Sequence, residues 1–412
     1  MEQTQSPAVS RHTSSPHISL RAERVPDSPM RRFHDAALQV QRQGRTVHFL
    51  NIGQPDIPTP QVFFDTLRQY AGTIVGYAPS PGFPETIRAW QTYYRSGGIP
   101  LDEKNIIVTM GGSEALQFAL MAVADPDDEV VLFEPTYASY ISFATMLGIR
   151  IASVPLDASH AFHLPDDAVI ERAITPRTRA ILVCNPANPT GTVFSQAEVQ
   201  RIGAIARRYG LFIIADEVYR EFVYTGAPHY SFLADASLHD QVIMIDSVSK
   251  RFNVCGARIG AVVSRNASVL DALGRFARSR LSVPTLEQLA VIPLLTDAGG
   301  YVAGVVAEYA RRRAAVMEAQ QASRSIGWYA PEGAFYTIAT LPVADTVDFV
   351  SWTLTQFQED NSTILVAPGT GFYVNPDHGR HQIRIAFVIE AEPLRHALAL
   401  LEHAVAEYQK NH

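Results

Sequence analysis

Seven short apolar runs, most of them closed by a polar or glycine residue and separated by stretches of helical periodicity, dominate the middle of this chain. They are Asn105–Met110, Glu129–Glu134, Ile149–Pro155, Thr178–Asn185, Leu211–Asp216, Gln241–Ser247 and Ile259–Ser264. Runs of this length read as strands, and the apolar positions recurring on one face of Glu114–Ala124 and Ala197–Arg208 mark helical crossovers between them. Such alternation is the signature of βαβ units. The expected fold class is α/β: a large domain with a mostly parallel seven-stranded sheet flanked by helices. After about Val291 the pattern changes to long helices and then to a Gly/Pro-punctuated segment, with strands expected near Ala334–Ala339, Ser362–Ala367 and Gln382–Phe387. That predicts a second, smaller α+β domain.

Composition narrows the function. The 412 residues are 47% hydrophobic and 18% charged, enough for a sizeable core and against a chiefly disordered chain. Thirty-four basic against 41 acidic residues give −7, which leaves no global footprint for nucleic acid or an anionic membrane. The apolar runs fall far short of the roughly 20 residues of a membrane helix. Two cysteines, Cys184 and Cys255, are too few for a disulfide framework or a cysteine-rich zinc site, so a reducing, cytoplasmic setting and no metal are expected. The first 29 residues are rich in Ser, Pro, Arg and His without an apolar block, and a disordered tail is expected there.

In a parallel sheet, ligands bind beyond the carboxyl ends of the strands, so the residues closing each run are the candidates for chemistry. Met110-Gly111-Gly112-Ser113-Glu114 ends a strand and opens a helix, whose free N–H groups suit phosphate; a tight connection is the plainer reading. Asn185-Pro186-Ala187-Asn188-Pro189-Thr190-Gly191 is a loop stiffened by two prolines with two amides free to donate, or simply a set of Asx turns. Asp216 follows an apolar run, where burial calls for a cationic partner unless the acid merely caps a helix. Ser247-Val248-Ser249-Lys250 closes another run, with Arg258 eight residues on; a lysine there is ordinarily a solvated surface residue.

In this order, together with Asn51-Ile52-Gly53-Gln54-Pro55-Asp56, Gly76-Tyr77, Pro331–Tyr336 and Arg384, the fragments resemble the pyridoxal-phosphate-dependent aminotransferases of fold type I, class I/II, of which aspartate aminotransferase is the best-known member. The resemblance runs from Asn51 to Phe387. It implies pyridoxal 5'-phosphate as cofactor, held by Lys250, with Asp216 keeping the ring nitrogen protonated and Asn188 and Tyr219 donating to the phenolic oxygen. Tyr137 is implied against the ring face. Gly112, Ser113, Glu114, Ser247, Ser249 and Arg258 are implied around the phosphate, and Tyr77 on the phosphate of a neighbouring subunit in a homodimer. Arg384, with Gly53 and Asn188, is implied at the substrate α-carboxylate. The expected division is a tail over 1–29, a segment 30–60 contributing to the small domain, a large cofactor-binding domain over 61–295 and a small domain over 296–412.

The chemistry asks for these residue types in its own right. An amine must hold the cofactor and then move a proton, so Lys250 is expected below the ordinary lysine pKa; a buried carboxylate must face the ring nitrogen. The expected activity is ping-pong transfer of an amino group from an α-amino acid, with glutamate or aspartate among the donors, to a 2-oxo acid. Arg278 and Arg280 are candidates for a distal carboxylate, against a plain reading as a solvated helix face. The alternative is a lyase, decarboxylase or oxidase, or a transaminase of another amino acid, on the same fold. A DNA-binding regulator is opposed by the lack of a helical, basic module before His48, and a nicotinamide enzyme by the lack of Gly-x-Gly-x-x-Gly after an early strand.

Overall fold

The computed structural model describes residues 17–297 and 299–411. In chain order its strands are β1 (Thr46–Phe49), β2 (Ile106–Thr109), β3 (Glu129–Glu134), β4 (Arg150–Pro155), β5 (Thr178–Cys184), β6 (Phe212–Asp216), β7 (Val242–Ser247), β8 (Gly260–Ser264), β9 (Gly327–Trp328), β10 (Tyr336–Thr340), β11 (Ser362–Leu365), β12 (Ala367–Pro368) and β13 (Gln382–Ala386). The seven runs read from the sequence become one sheet in the order β2-β8-β7-β6-β5-β3-β4. Only β8 runs against its neighbours.

Both faces of this sheet are covered, as the unbroken apolar character of its central strands requires. Along β6 and β7 successive side chains point to opposite faces, so Ile213, Ala215 and Met244 enter one core while Ile214, Ile243 and Ile245 enter the other. All six are buried to 1% exposure or less. The crossover helices are well specified locally. Gln196–Tyr209 starts at a capping box, in which Ser195 and Glu198 exchange side-chain-to-backbone bonds, and it stops at left-handed Gly210.

A second sheet, β12-β13-β10-β9, is antiparallel, and β1 pairs in parallel with β11 in a two-stranded ribbon. The early strand thus joins the late part of the chain, and both share one apolar core with the helix Ala391–Asn411. His163 ties the segment before β10 to the large sheet's helices, lying 3.0 Å from Glu198 and 3.2 Å from Glu332. Those two carboxylates hold its imidazolium well above the usual range, at about 10.

The segment expected as a disordered tail needs correction in part. Residues 1–16 lie outside the described residues, but 17–29 include the helix Leu20–Arg24, capped by Ser19 and packed on the helix Ala138–Leu147. Arg21 donates to the Met146 carbonyl at 3.3 Å, and Pro29 presses on Gly371, where an added Cβ would lie 2.4 Å from the proline ring. Distant contacts, not local propensity, fix this strap.

Candidate active site

The parallel register brings three strand ends to one edge of the sheet. Cys184 of β5 lies opposite Asp216 of β6, which lies opposite Ile245 of β7, two residues before Ser247. The end of β2 reaches the same edge through the helix Gly111–Val123. Gly260 permits this approach, since a Cβ there would lie 2.6 Å from the Gly111 carbonyl carbon. Above the edge opens a cavity of about 580 Å³.

One end of the cavity is built for an anion. Gly112 and Ser113 present the first turn of their helix, and their N–H groups have no side-chain cap among the described residues. Ser247 Oγ and Ser249 Oγ lie 2.8 Å apart beside it. Arg258 completes the set from a left-handed backbone (φ +54°), a conformation costing of order 1–3 kcal/mol in a non-glycine residue. Its guanidinium donates to the Cys255 carbonyl at 2.9 Å, and a side chain at Gly111 would collide with it.

At the floor, Asp216 is only 8% exposed. Its Oδ2 accepts from the Tyr140 hydroxyl at 2.6 Å and its Oδ1 from the Val218 N–H at 3.3 Å. Burial pushes its carboxyl up to about 6, with the Tyr140 bond acting against the rise. Among the described residues no basic side chain touches Asp216, and the neutral Tyr140 phenol is its side-chain partner, so the cationic partner expected from sequence is not a neighbouring side chain. Tyr140 was not foreseen; its only signal is its position three residues after Tyr137, on the helix that faces the strand end.

Lys250 follows the end of β7, and its Nζ donates to the Gly53 carbonyl at 2.9 Å. Burial pulls this amine below the ordinary lysine value, and Arg384 and Arg258 act the same way against opposing pulls from Cys255 and Asp216. The chain has three lysines, and the other two, Lys104 and Lys410, are exposed and away from the cavity. Gly53 is required by contact: a Cβ would lie 1.7 Å from the Tyr336 hydroxyl. That hydroxyl is 3.0 Å from the Tyr219 hydroxyl, and burial pushes both phenols up, so both stay neutral donors.

Arg384, on β13, is 1% exposed and enters from the second sheet. It donates to the Asn51 carbonyl at 2.5 Å and to Asn188 Oδ1 at 3.1 Å, which leaves the Asn188 amide N–H groups free for another acceptor. Its guanidinium carbon lies 4.5 Å from the Tyr336 ring centre and 4.9 Å from that of Phe372. Its Nε is buried without a partner among the described residues.

The structure thus brings Gly53, Gly112, Ser113, Tyr137, Asn188, Asp216, Tyr219, Ser247, Ser249, Lys250, Arg258 and Arg384 to one cavity. Two expected members lie elsewhere. Glu114 turns away to accept from the Met110 N–H at 2.8 Å, with Arg280 at 3.6 Å, and a carboxylate there would repel phosphate. Tyr77 is 81% exposed. Arg278 is exposed and Arg280 is spent on the Ser80 and Val108 carbonyls, so neither lines the cavity of this chain. Besides Tyr140, sequence reasoning missed Tyr336, which it quoted without a role, and the strap residues Ser28, Met30 and Arg31 at the cavity wall.

The donor set fits pyridoxal phosphate: an anion cradle, an amine, a buried acid under the ring position and free amide and phenol donors between them. Comparison with known proteins agrees. The family model for aminotransferase class I and II matches residues 46–401. The aspartate/prephenate aminotransferase of Thermus thermophilus is 30% identical over 92% of this chain and 97% of its own length. Aromatic-amino-acid aminotransferase 2 of Thermococcus litoralis is 27% identical over 95% and 98%. A solved structure of Thermus thermophilus aspartate aminotransferase with maleate superposes with a TM-score of 0.86 at 28% identity, covering 95% of this chain and 100% of that one. A match that spans both the sheet carrying Lys250 and the strand carrying Arg384 places this chain in the class I and II aminotransferases, pyridoxal-phosphate enzymes that move an amino group between an amino acid and a 2-oxo acid.

Proposed function

We propose that this aminotransferase takes its α-amino acid through Arg384, that glutamate or aspartate is among its donors, and that it works as a homodimer with shared active sites in the cytoplasm. The observation that carries the first point is the unpartnered Nε of a fully buried arginine. A buried guanidinium N–H without an acceptor costs free energy, and a carboxylate bound along that edge supplies one. Aspartate names among the relatives support the second point. The two cysteines are unpaired thiols, in keeping with a reducing compartment.

The residues then divide the work. Bound here, pyridoxal phosphate supplies an electrophilic carbon and a protonated ring that withdraws electrons from substrate Cα. Gly112 and Ser113 N–H groups, Ser247, Ser249 and Arg258 hold the phosphate. Asp216 would keep the proton on the ring nitrogen, and Tyr140 keeps Asp216 in place. Asn188 and Tyr219 would donate to the cofactor's phenolic oxygen, and Tyr137, on the same wall, would pack against its ring. Lys250, neutral more readily than a free lysine, takes the proton from substrate Cα while Arg384 fixes the carboxylate, so that the bond to be broken is oriented.

Mixing holoenzyme with single amino acids and following loss of the cofactor's visible absorbance tests the donor assignment without a guess at the acceptor. Glutamate or aspartate converts it. Conversion by aromatic, aliphatic or basic amino acids with none by either dicarboxylic one contradicts the assignment. Arg384→Lys keeps the charge and loses the fork, and weakens every donor by roughly ten- to a hundred-fold, the loss of a charge-assisted bond of about 1.5–3 kcal/mol.

Asp216→Asn separates catalysis from stability. A carboxyl raised from 3.8 to about 6 in the folded protein binds its proton more tightly than when unfolded. The cofactor-free protein therefore loses stability as pH rises from about 4 to 6 and carries the full cost, roughly 3 kcal/mol, above that. The Asn variant stabilises the cofactor-free protein at pH 7.5 but not at pH 4, in urea unfolding, while proton removal from substrate slows by orders of magnitude. Equal single-turnover rates for variant and wild type would make Asp216 a structural residue.

The dimer rests on Tyr77. It is 81% exposed beside Ile74 at 79% and Val75 at 59%, an apolar run that a second copy would cover. Mixing an inactive Lys250→Ala parent with an impaired Tyr77→Ala parent restores activity if each site draws on both chains. No gain after proven subunit exchange argues for sites built from one chain.

A further inference from the structure

We propose that Arg31, on the strap before β1, is the residue that recognises the distal carboxylate of a dicarboxylic substrate. This rests on Arg384 as the α-carboxylate site and names what lies at the other end of the substrate. Four basic side chains, Arg31, Lys250, Arg258 and Arg384, line the cavity, with one acid, Asp216, among the described residues. Three of the four already have a role: Arg258 would share the phosphate's roughly two negative charges with the helix start and the two serines, Arg384 would take the α-carboxylate, and Lys250 is the base. Arg31 alone has none, and an unpartnered guanidinium on the wall suits a substrate that brings a second carboxylate.

The local structure agrees. Arg31 makes no ion pair or side-chain hydrogen bond among the described residues, whereas Arg278 and Arg280 lie outside the cavity. Its neighbour Arg32 takes a different course, lying 5.6 Å over the Phe33 ring and facing a surface hollow that holds Asp345, Asp348 and Asp377. The backbone around Arg31 is held while its side chain is free. The Met30 carbonyl accepts from Asn51 Nδ2 at 2.6 Å, the Arg31 N–H donates to the Ser28 carbonyl at 3.1 Å, and the Arg31 carbonyl accepts from the His34 N–H at 3.0 Å. Asn51 also offers its own carbonyl to Arg384, so one residue fixes the spacing between the two arginines. Ser28 and Met30 flank Arg31 on the wall, and neither carries a competing charge.

The test compares wild type with Arg31→Gln and Arg31→Glu in two readouts. In the first, holoenzyme is converted by glutamate, aspartate, alanine and phenylalanine; the ratio of dicarboxylic to uncharged kcat/KM falls at least ten-fold in Arg31→Gln, mainly through KM, and further in Arg31→Glu. In the second, calorimetry measures binding of maleate, which has no amino group to transfer; its Kd rises at least ten-fold in Arg31→Gln, and Arg31→Lys recovers part of the loss. An unchanged preference ratio and unchanged maleate binding, in a wild type that does convert with dicarboxylic donors, overturn the role of Arg31 and leave the proposed function standing. A wild type that converts with uncharged donors alone overturns both.

Discussion

An aspartate buried at the end of a central strand, with no basic side chain in contact, sets the terms for the whole site. Asp216 keeps its place because β6 is held on both sides by β5 and β7, and because Tyr140 and the Val218 N–H satisfy its oxygens. These bonds do not abolish the cost of burial, which holds the acid at about 6. A cationic ring nitrogen against the carboxylate would reverse that cost, so the same strain that weakens the empty protein strengthens cofactor binding. The acid and the amine follow the ends of neighbouring parallel strands, and antiparallel β8, whose start lies opposite the ends of β2 and β7, brings the anion cradle to the same edge.

The second sheet and the strap close this edge from above. Arg384 comes from β13, Tyr336 from the start of β10, and Arg31 from a segment that precedes every strand. Gly53 lines the same cavity, and the Tyr336 hydroxyl takes the space its side chain would need. Residues more than 300 positions apart in sequence thus line one cavity, held together by one apolar core that joins the early and late parts of the chain.

Much of this is legible in the sequence because it is local. The run Glu129–Glu134 is β3 without change, and Thr178–Asn185 overshoots β5 by one residue, since strand length and apolar character are properties of short windows. The residues closing the runs are legible for the same reason. What escapes is set by distant partners. β1 is four residues long and gains its register only from β11, over 300 residues later. Tyr140 reads as an ordinary helix residue until Asp216 is placed against it. Arg31 lies at the edge of a stretch whose composition predicts disorder, and its order comes from Asn51, Gly371 and the helix Ala138–Leu147. Glu114 misleads in the opposite way: it sits inside a recognisable motif, yet its carboxylate closes the helix start instead of facing a ligand.

The central claim is that one buried amine anchors the cofactor. With three lysines in the chain it has a direct measurement. Holoenzyme reduced with borohydride, digested and read by mass spectrometry carries the reduced cofactor's mass on the peptide containing Lys250 and on no other. The adduct on Lys104 or Lys410, or no adduct in an active enzyme, would contradict the account.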